Sequence, residues 1–448
     1  MRIVKIVAVT ILALLAACLI WLVTMPPELL RVGSGYAAKI VCSNVFLANR
    51  DAQEVLAVDV QAPGHPLLRL MQVSVDEQSA KVSAAIFGFI APSVAIYRDD
   101  LGCAVTQDLS AKGQRNQSPP IVGPESGAAD VLFPDGTKIE SDQRITPLLE
   151  NAALTGPGMR AVIVAQNGRI LGERYAEGFS EKTPLIGWSM AKTINAALIA
   201  RLVGEGKLAY TDRNLFAQWA SDERGEITLA QLLAMESGLG FNENYGTVAD
   251  VTRMLFLEQD MAEFAIDTPL EAAPGTKFSY SSGTSVLLSK IWMERIGDQD
   301  RALVYPRQSL FAPLGMQSAV FETDANGTYA GSSYIYATAR DWTRFGMFLA
   351  ADGMWKGERL LPEGTVAMMG KASAQSGGRY SQMQTWLKLY GRDAEGLPGD
   401  MFMLSGHDGQ TVAVVPSLGL VVLRMGLTPL GGGYNVLELI AAAAKAVK

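Results

Sequence analysis

The chain has 448 residues, 49% hydrophobic and 19% charged, with a formal net charge of −7 and a pI near 5.2. That length accommodates one large or two to three modest domains, and the acidic balance argues against nucleic-acid binding. Three cysteines exclude a disulfide-dense scaffold, and two histidines, His65 and His407, offer little for a zinc site.

Arg2 and Lys5 precede an apolar run from Ile6 to Met25. It is long enough to span a bilayer. The basic flank orients it with the N-terminus in the cytoplasm, so the expected location is the bacterial inner membrane, single-pass, with the bulk in the periplasm. Leu15-Ala16-Ala17-Cys18 resembles a lipobox, but Leu19 to Val23 continue the apolar run where a lipoprotein turns polar. Residues 1–27 are therefore read as an uncleaved anchor, with a cleaved signal or a lipid on Cys18 as alternatives.

Residues 28–106 read as a small α+β module. A helical pattern covers Gly35 to Val60, with Asp51 a candidate cap. Strand patterns follow at Leu70–Val75, Lys81–Phe89 and Ser93–Arg98. Cys42 and Cys103 lie near its two ends, and an oxidising compartment favours a disulfide between them. His65, between Gly64 and Pro66, reads as a loop residue. Residues 107–139 are rich in Ser, Pro, Gly, Gln and Asn and read as a linker or wrapping arm.

Residues 140–448 read as one domain. A helix is expected from Ser141 to Ala153. Strands follow at Arg160–Ala165 and Arg169–Tyr175, joined by Asn167-Gly168, a two-residue hairpin signal. A helix-rich middle runs from Ser189 to Gly370. Strands return at Gln382–Tyr390, Met401–Leu404, Thr411–Val415 and Leu418–Met425, before a helix over Asn435–Val447. The fold class is therefore α+β: an antiparallel sheet built from both ends of the domain, flanked by helices, with an inserted helical subdomain.

Within Gly187-Trp188-Ser189-Met190-Ala191-Lys192-Thr193, Ser189 is the only serine with a lysine three residues later. Met190, Ile194, Leu198 and Leu202 mark a helix, so Ser189 and Lys192 share a face one turn apart. A serine hydroxyl needs an adjacent base, and a buried lysine with a lowered pKa supplies one. The plain alternative is a helix cap followed by a solvated lysine. Two more stretches weigh against that. Pro274 to Gly283 is a glycine- and serine-rich loop before an apolar helix, where Tyr280 is placed to relay a proton. Gly406-His407-Asp408-Gly409-Gln410 enters a strand, where glycine permits close approach of a substrate backbone and His407 is a candidate binding group.

In this order the three stretches resemble the serine beta-lactamase and penicillin-binding-protein superfamily. Ser189 and Lys192 match its serine-x-x-lysine, Tyr280 to Ser282 its tyrosine motif, and His407-Asp408-Gly409 its strand-edge lysine-threonine-glycine. Ile227 to Leu239, Leu310 to Met316 and Ala339 to Gly346 extend the likeness to class C enzymes and related esterases, with Thr338 and Asp341 as helix-start caps. The resemblance implies an acyl-enzyme on Ser189, Lys192 and Tyr280 as general base and acid, backbone N–H groups of Ser189 and Gln410 around the oxyanion, and Ser282, His407 and Gly409 at the substrate. No cofactor is expected, and the scarcity of histidine and paired cysteine leaves no metal expected either.

Ser282 replaces the asparagine of beta-lactamases, and His407 replaces the lysine that holds a carboxylate. A histidine is mostly neutral at pH 7. The pattern is closer to 6-aminohexanoate-dimer hydrolases and family VIII carboxylesterases, which implies cleavage of a small-molecule or peptide-like amide or ester. Two rivals were weighed: an α/β-hydrolase, which the missing glycine at Ala191 disfavours, and a catalytically silent receptor for cell-wall peptides. Phe241, Asn242 and Tyr245, within Gly238–Val251, and the segment Lys371–Gln384 are expected to line the cleft.

Overall fold

The computed structural model describes residues 2–62, 64–114, 130–389, 391–429 and 433–448. The chain divides into two compact units: residues 1–116 with 243–259, and residues 117–242 with 260–448.

In the smaller unit, helix α1 (Arg2–Thr24) has no buried residue and is apolar and long enough to cross a membrane. Helix α2 (Glu28–Ala48) stops at Asn49, whose left-handed φ of 52° ends the repeat. Asp51 caps α3 (Ala52–Val55), accepting the N–H groups of Gln53 and Glu54. A π-helical turn, Leu56–Gln61, follows. His65 caps the short 3-10 helix Pro66–Leu70, its Nδ1 accepting Leu67 N–H. Strands β1 (Met71–Asp76), β2 (Lys81–Ile86), β3 (Ile90–Arg98) and β4 (Gly102–Thr106) form an antiparallel meander in chain order. The sequence reading missed β4, a run of only five residues.

A disulfide joins Cys42 on α2 to Cys103 on β4 across 61 residues, with Cα atoms 6.1 Å apart. Closing a loop of that length removes about 4 kcal/mol of unfolded-state entropy. Non-reduced peptide mapping of protein kept under oxidising conditions is expected to find the two linked. The Cys42→Ala/Cys103→Ala pair is expected to lose about 2–5 kcal/mol in denaturant titration. Free thiols at both positions would refute the first expectation.

In chain order the remaining elements are α4 (Thr146–Glu150), α5 (Ala152–Thr155), β5 (Met159–Gln166), β6 (Arg169–Tyr175), β7 (Pro184–Ile186), α6 (Ala191–Gly204), α7 (Leu229–Leu233), α8 (Asp250–Phe256), α9 (Met261–Ile266) and α10 (Ser282–Ile296). Then come α11 (Gln299–Pro306), α12 (Ala312–Leu314), β8 (Val320–Phe321), β9 (Ile335–Thr338), α13 (Ala339–Ala350), β10 (Met354–Trp355), β11 (Glu358–Arg359) and α14 (Thr365–Met369). The chain closes with β12 (Phe402–Gly406), β13 (Gln410–Val415), β14 (Leu420–Gly426) and α15 (Val436–Ala446).

The larger unit is built on the antiparallel sheet β12-β13-β14-β5-β6, with strands from both ends of the domain, as expected. Side chains alternate across it. Val162, Val164, Ala413, Val415, Leu420 and Val422 face α4 and α15 in one apolar cluster. Val412 and Val421 face α13 on the other side, where Gly346 lets the helix approach: a Cβ there would stand 2.6 Å from Val421 Cγ1. Thr338 caps α13 and accepts Asp341 N–H, and Asp341 in turn accepts the N–H and hydroxyl of Ser318.

Two expected elements differ. The helix over Ser141–Ala153 is two short ones, because Asn151 leaves helical geometry and caps α5 with its side chain. The strand expected over Gln382–Tyr390 does not form across Gln382–Leu389, and Tyr390 lies outside the described residues. Gln384 takes a φ of 58°, and only isolated bridges survive, Tyr380 with Trp386 and Trp386 with Met403.

Asp324 is 1% exposed, and its carboxylate accepts the N–H groups of Met261 and Thr328 at 2.9 and 2.8 Å. Burial still pushes its pKa up from 3.8 to about 6, with nearby Asp260 adding to the rise. A folded pKa above the unfolded one means stability present below about pH 3.8 and lost as pH rises through about 6. The effect is on the order of 1–3 kcal/mol. Asp324→Asn is therefore expected to cost less at pH 7.5 than at pH 4.5 in denaturant titrations; an equal cost at both would contradict this.

Candidate active site

β7 delivers the chain to Gly187, which lies flat on the buried Trp342 ring; a Cβ would sit 2.2 Å from Trp342 Cζ2. Trp188 then takes a left-handed φ of 46°, rare for a bulky residue. Strained backbone of this kind persists only where the surroundings enforce it. Here the Trp188 ring is buried, between Tyr334 at 6.1 Å and His407 at 5.8 Å. Ser189 sits in the 3-10 turn Trp188–Met190 that opens α6, one step earlier than a regular first turn. It is half-buried, and its neighbours Trp188 and Met190 are buried.

The i,i+3 spacing brings Lys192 back over Ser189. Lys192 is 1% exposed, and its Nζ lies 3.1 Å from Ser189 Oγ, 3.1 Å from Ser282 Oγ and 3.0 Å from the Ser332 carbonyl oxygen. The ring of Tyr280 is centred 4.8 Å from the same nitrogen. Tyr280 itself packs on Trp386 at 5.1 Å and Tyr380 at 5.6 Å.

Ser282 starts α10, where Ser281 is the cap and accepts Thr284 N–H. What holds α10 in register with α6 is polar. Asn195 donates to the Ser285 carbonyl and accepts from Ser289 Oγ and Trp292 Nε1. Gln384 adds a second tie: its carbonyl accepts Thr193 Oγ1 at 2.7 Å, and its side chain accepts Ser285 Oγ and donates to the Leu233 carbonyl. Buried groups satisfied this fully hold one arrangement.

The strand edge closes the other side, β12 and β13 both packing against the Trp188–Met190 turn. Gly406 is required there, since a Cβ would lie 2.1 Å from the Gly187 carbonyl oxygen. His407 Nε2 is 3.5 Å from Asp408 Oδ1, with the imidazole one-third exposed. Gly409 turns the chain at φ 85°. Gln410 opens β13. Its buried side chain bonds the Gly426 N–H and carbonyl and the His407 carbonyl, which fixes the strand end rather than reaching toward Ser189.

Ser189, Lys192, Tyr280 and Ser282, all named from the sequence, lie in one cluster, and the structure puts His407 beside Trp188. Sequence reasoning missed Ser332, which contributes a backbone carbonyl and so leaves no side-chain signature. It missed Asn195, although a polar residue inside the apolar helix pattern of α6 was a usable signal, and it named Gln384 only as the end of a cleft-lining segment, not as a buried tie between helices. Phe241, buried, packs against Gly283, next in sequence to Ser282: a Cβ on Gly283 would sit 2.7 Å from its Cε2. Tyr245 belongs to the smaller unit. Among the described residues no group of three His, Cys, Asp or Glu is arranged to hold a metal ion.

The family model described as Beta-lactamase matches residues 146–434, so the chain belongs to the beta-lactamase family, whose members are mostly hydrolases. Among solved structures it is similar to a Bacillus anthracis protein provisionally named a 6-aminohexanoate-dimer hydrolase, with 21% identity, a TM-score of 0.55, and coverage of 68% of this chain and 86% of that one. A penicillin-binding protein homologue from Caulobacter crescentus matches at 17% identity and TM-score 0.55, over 69% of this chain and 99% of the other. A family VIII carboxylesterase matches at 15% identity and TM-score 0.53, with the same coverages. At these identities the likeness concerns the fold. No curated protein matches the chain.

Proposed function

We propose that the protein is a membrane-tethered, exported serine hydrolase that cleaves an amide or ester through an acyl-enzyme on Ser189. The observation that carries this is the set of partners around Lys192. The Ser332 carbonyl can only accept, so one N–H goes there. A second N–H serves Ser282 Oγ, and the third position faces Ser189 Oγ. Three N–H bonds of an ammonium would fill these contacts; in the neutral amine that the proposed reaction needs, two N–H bonds stay on Ser332 and Ser282 and the lone pair turns to the Ser189 hydroxyl.

Ser189 Oγ then attacks the carbonyl carbon, and the proton passes to Lys192. The tetrahedral oxyanion is held by backbone N–H groups of Ser189 and Gln410. Lys192 and Tyr280 return a proton to the departing nitrogen or oxygen, and water releases the acyl group by the reverse transfers. Arg2 and Lys5 in the first turns of α1, together with the disulfide, support a cytoplasmic N-terminus and a periplasmic body.

Intact-mass analysis after exposure to a fluorophosphonate tests the nucleophile. One adduct, absent in Ser189→Ala, is the expected result; no adduct would favour a silent receptor for cell-wall peptides. His407, where relatives carry a lysine for a carboxylate, gives a further expectation. A nitrophenyl ester should be turned over at least tenfold faster, by kcat/KM, than a chromogenic cephalosporin; the reverse order would contradict it.

A further inference from the structure

Outside α1 and Met25, the exposed large hydrophobic residues among those described are Leu29, Val58, Leu70, Phe87, Phe89, Leu109 and Val131. All but Val131 belong to the smaller unit. Phe87 and Phe89 are each 52% exposed and form, with Gly88, the tip of the β2–β3 hairpin. Leu70 lies beside that tip, its carbonyl accepting Phe87 N–H at 3.0 Å. Exposed Arg69 precedes it.

The direction of α2 locates this tip. Ser34 Oγ is 2.9 Å from Ser93 Oγ, while farther along Cys42 is bonded to Cys103, whose strand partner is Tyr97. Eight helical residues at ~1.5 Å and four strand residues at ~3.3 Å cover the same ~12–13 Å. α2 and β3 therefore run side by side in the same direction. Extrapolating back by about 10–13 Å, Phe89 and Ile90 stand about level with Met25–Pro27, the segment that joins α2 to α1. Gln107, which accepts from Arg31 at the same end, brings Leu109 there too. α1 itself touches β3. The apolar tip is thus at the end of the unit from which α1 departs.

We infer that the Phe87-Gly88-Phe89 hairpin tip, with Leu70 and Leu109, is a second membrane contact seated in the outer interface of the bilayer that α1 crosses. This rests on the reading of α1 as an anchor. The occupant is lipid rather than protein because the patch is continuous with α1. Aromatic side chains favour the headgroup level, and Arg69 beside them suits a lipid phosphate. Two contacts would hold the small unit against the membrane instead of leaving it to swing on a three-residue linker.

The test uses the full chain in phosphatidylcholine/phosphatidylglycerol vesicles, on a Cys18→Ala background that leaves the disulfide in place. Single spin labels are attached through Phe87→Cys, Phe89→Cys, Leu12→Cys within α1, and Asp100→Cys in the β3–β4 turn at the far end of the unit. Collision with a water-soluble nickel chelate is measured for each. At positions 87 and 89 it is expected to be at least threefold lower than at position 100. Equal collision at 87, 89 and 100, with position 12 shielded, would overturn the second contact while leaving the anchor standing. An unshielded label at position 12 would overturn the anchor, and this inference with it.

Discussion

Replacing Ser189 with alanine is expected to lower kcat for a nitrophenyl ester by about 10⁴- to 10⁶-fold, the range seen when a covalent nucleophile is removed. The substitution removes one hydroxyl from a half-buried position, and Lys192 keeps Ser282 and Ser332 as partners. Stability should therefore change by less than about 1 kcal/mol. The loss belongs to chemistry rather than folding, and the burst of nitrophenol that reports acylation should vanish while the melting curve is preserved. A burst of unchanged amplitude would mean that another residue carries the acyl group, and the mechanism would fail.

Lys192→Met is expected to lower kcat by about 10² to 10⁴, the usual contribution of a positioned general base. Methionine fills similar space without a polar end. It leaves the Ser332 carbonyl and Ser282 Oγ without their donor, a cost of about 1–3 kcal/mol, partly offset by no longer burying an amine. Fluorophosphonate labelling of Ser189 should slow in parallel with turnover. In the Ser189→Ala background the lysine substitution should add almost nothing to the loss, because the two groups act as one unit. A Lys192→Met enzyme within tenfold of the parent would show that the amine is structural.

Much of this was legible because it is local. Asn167 and Gly168 adopt φ values of 48° and 78°, the two left-handed residues their hairpin demands. Ser189 and Lys192 meet because helix geometry places residues three apart on one face. Thr338 caps the helix it precedes for a similar reason. What escaped depends on distant partners. The alternation of Met383, Thr385 and Leu387 mimics a strand. Gln384 instead turns through a left-handed conformation and spends its amide on α7 and α10. The Ser332 carbonyl is invisible in any pattern of side chains. The tight seat of Gly406 on the Gly187 carbonyl emerges only once two segments far apart in sequence are folded together.

The helix Asp250–Phe256 is encoded in the middle of the hydrolase domain but packs within the smaller unit. Arg253 pairs with Glu28 at 2.7 Å, the Phe256 ring meets Tyr36 edge-on at 5.3 Å, and the Phe256 carbonyl occupies the space a side chain on Gly35 would need. Chains are made from the N-terminus onward. The first unit therefore waits, one flank bare, until more than a hundred further residues have been made. Its completion is tied to the synthesis of the segment that follows, so a chaperone acting on the nascent chain would find its target in that interval.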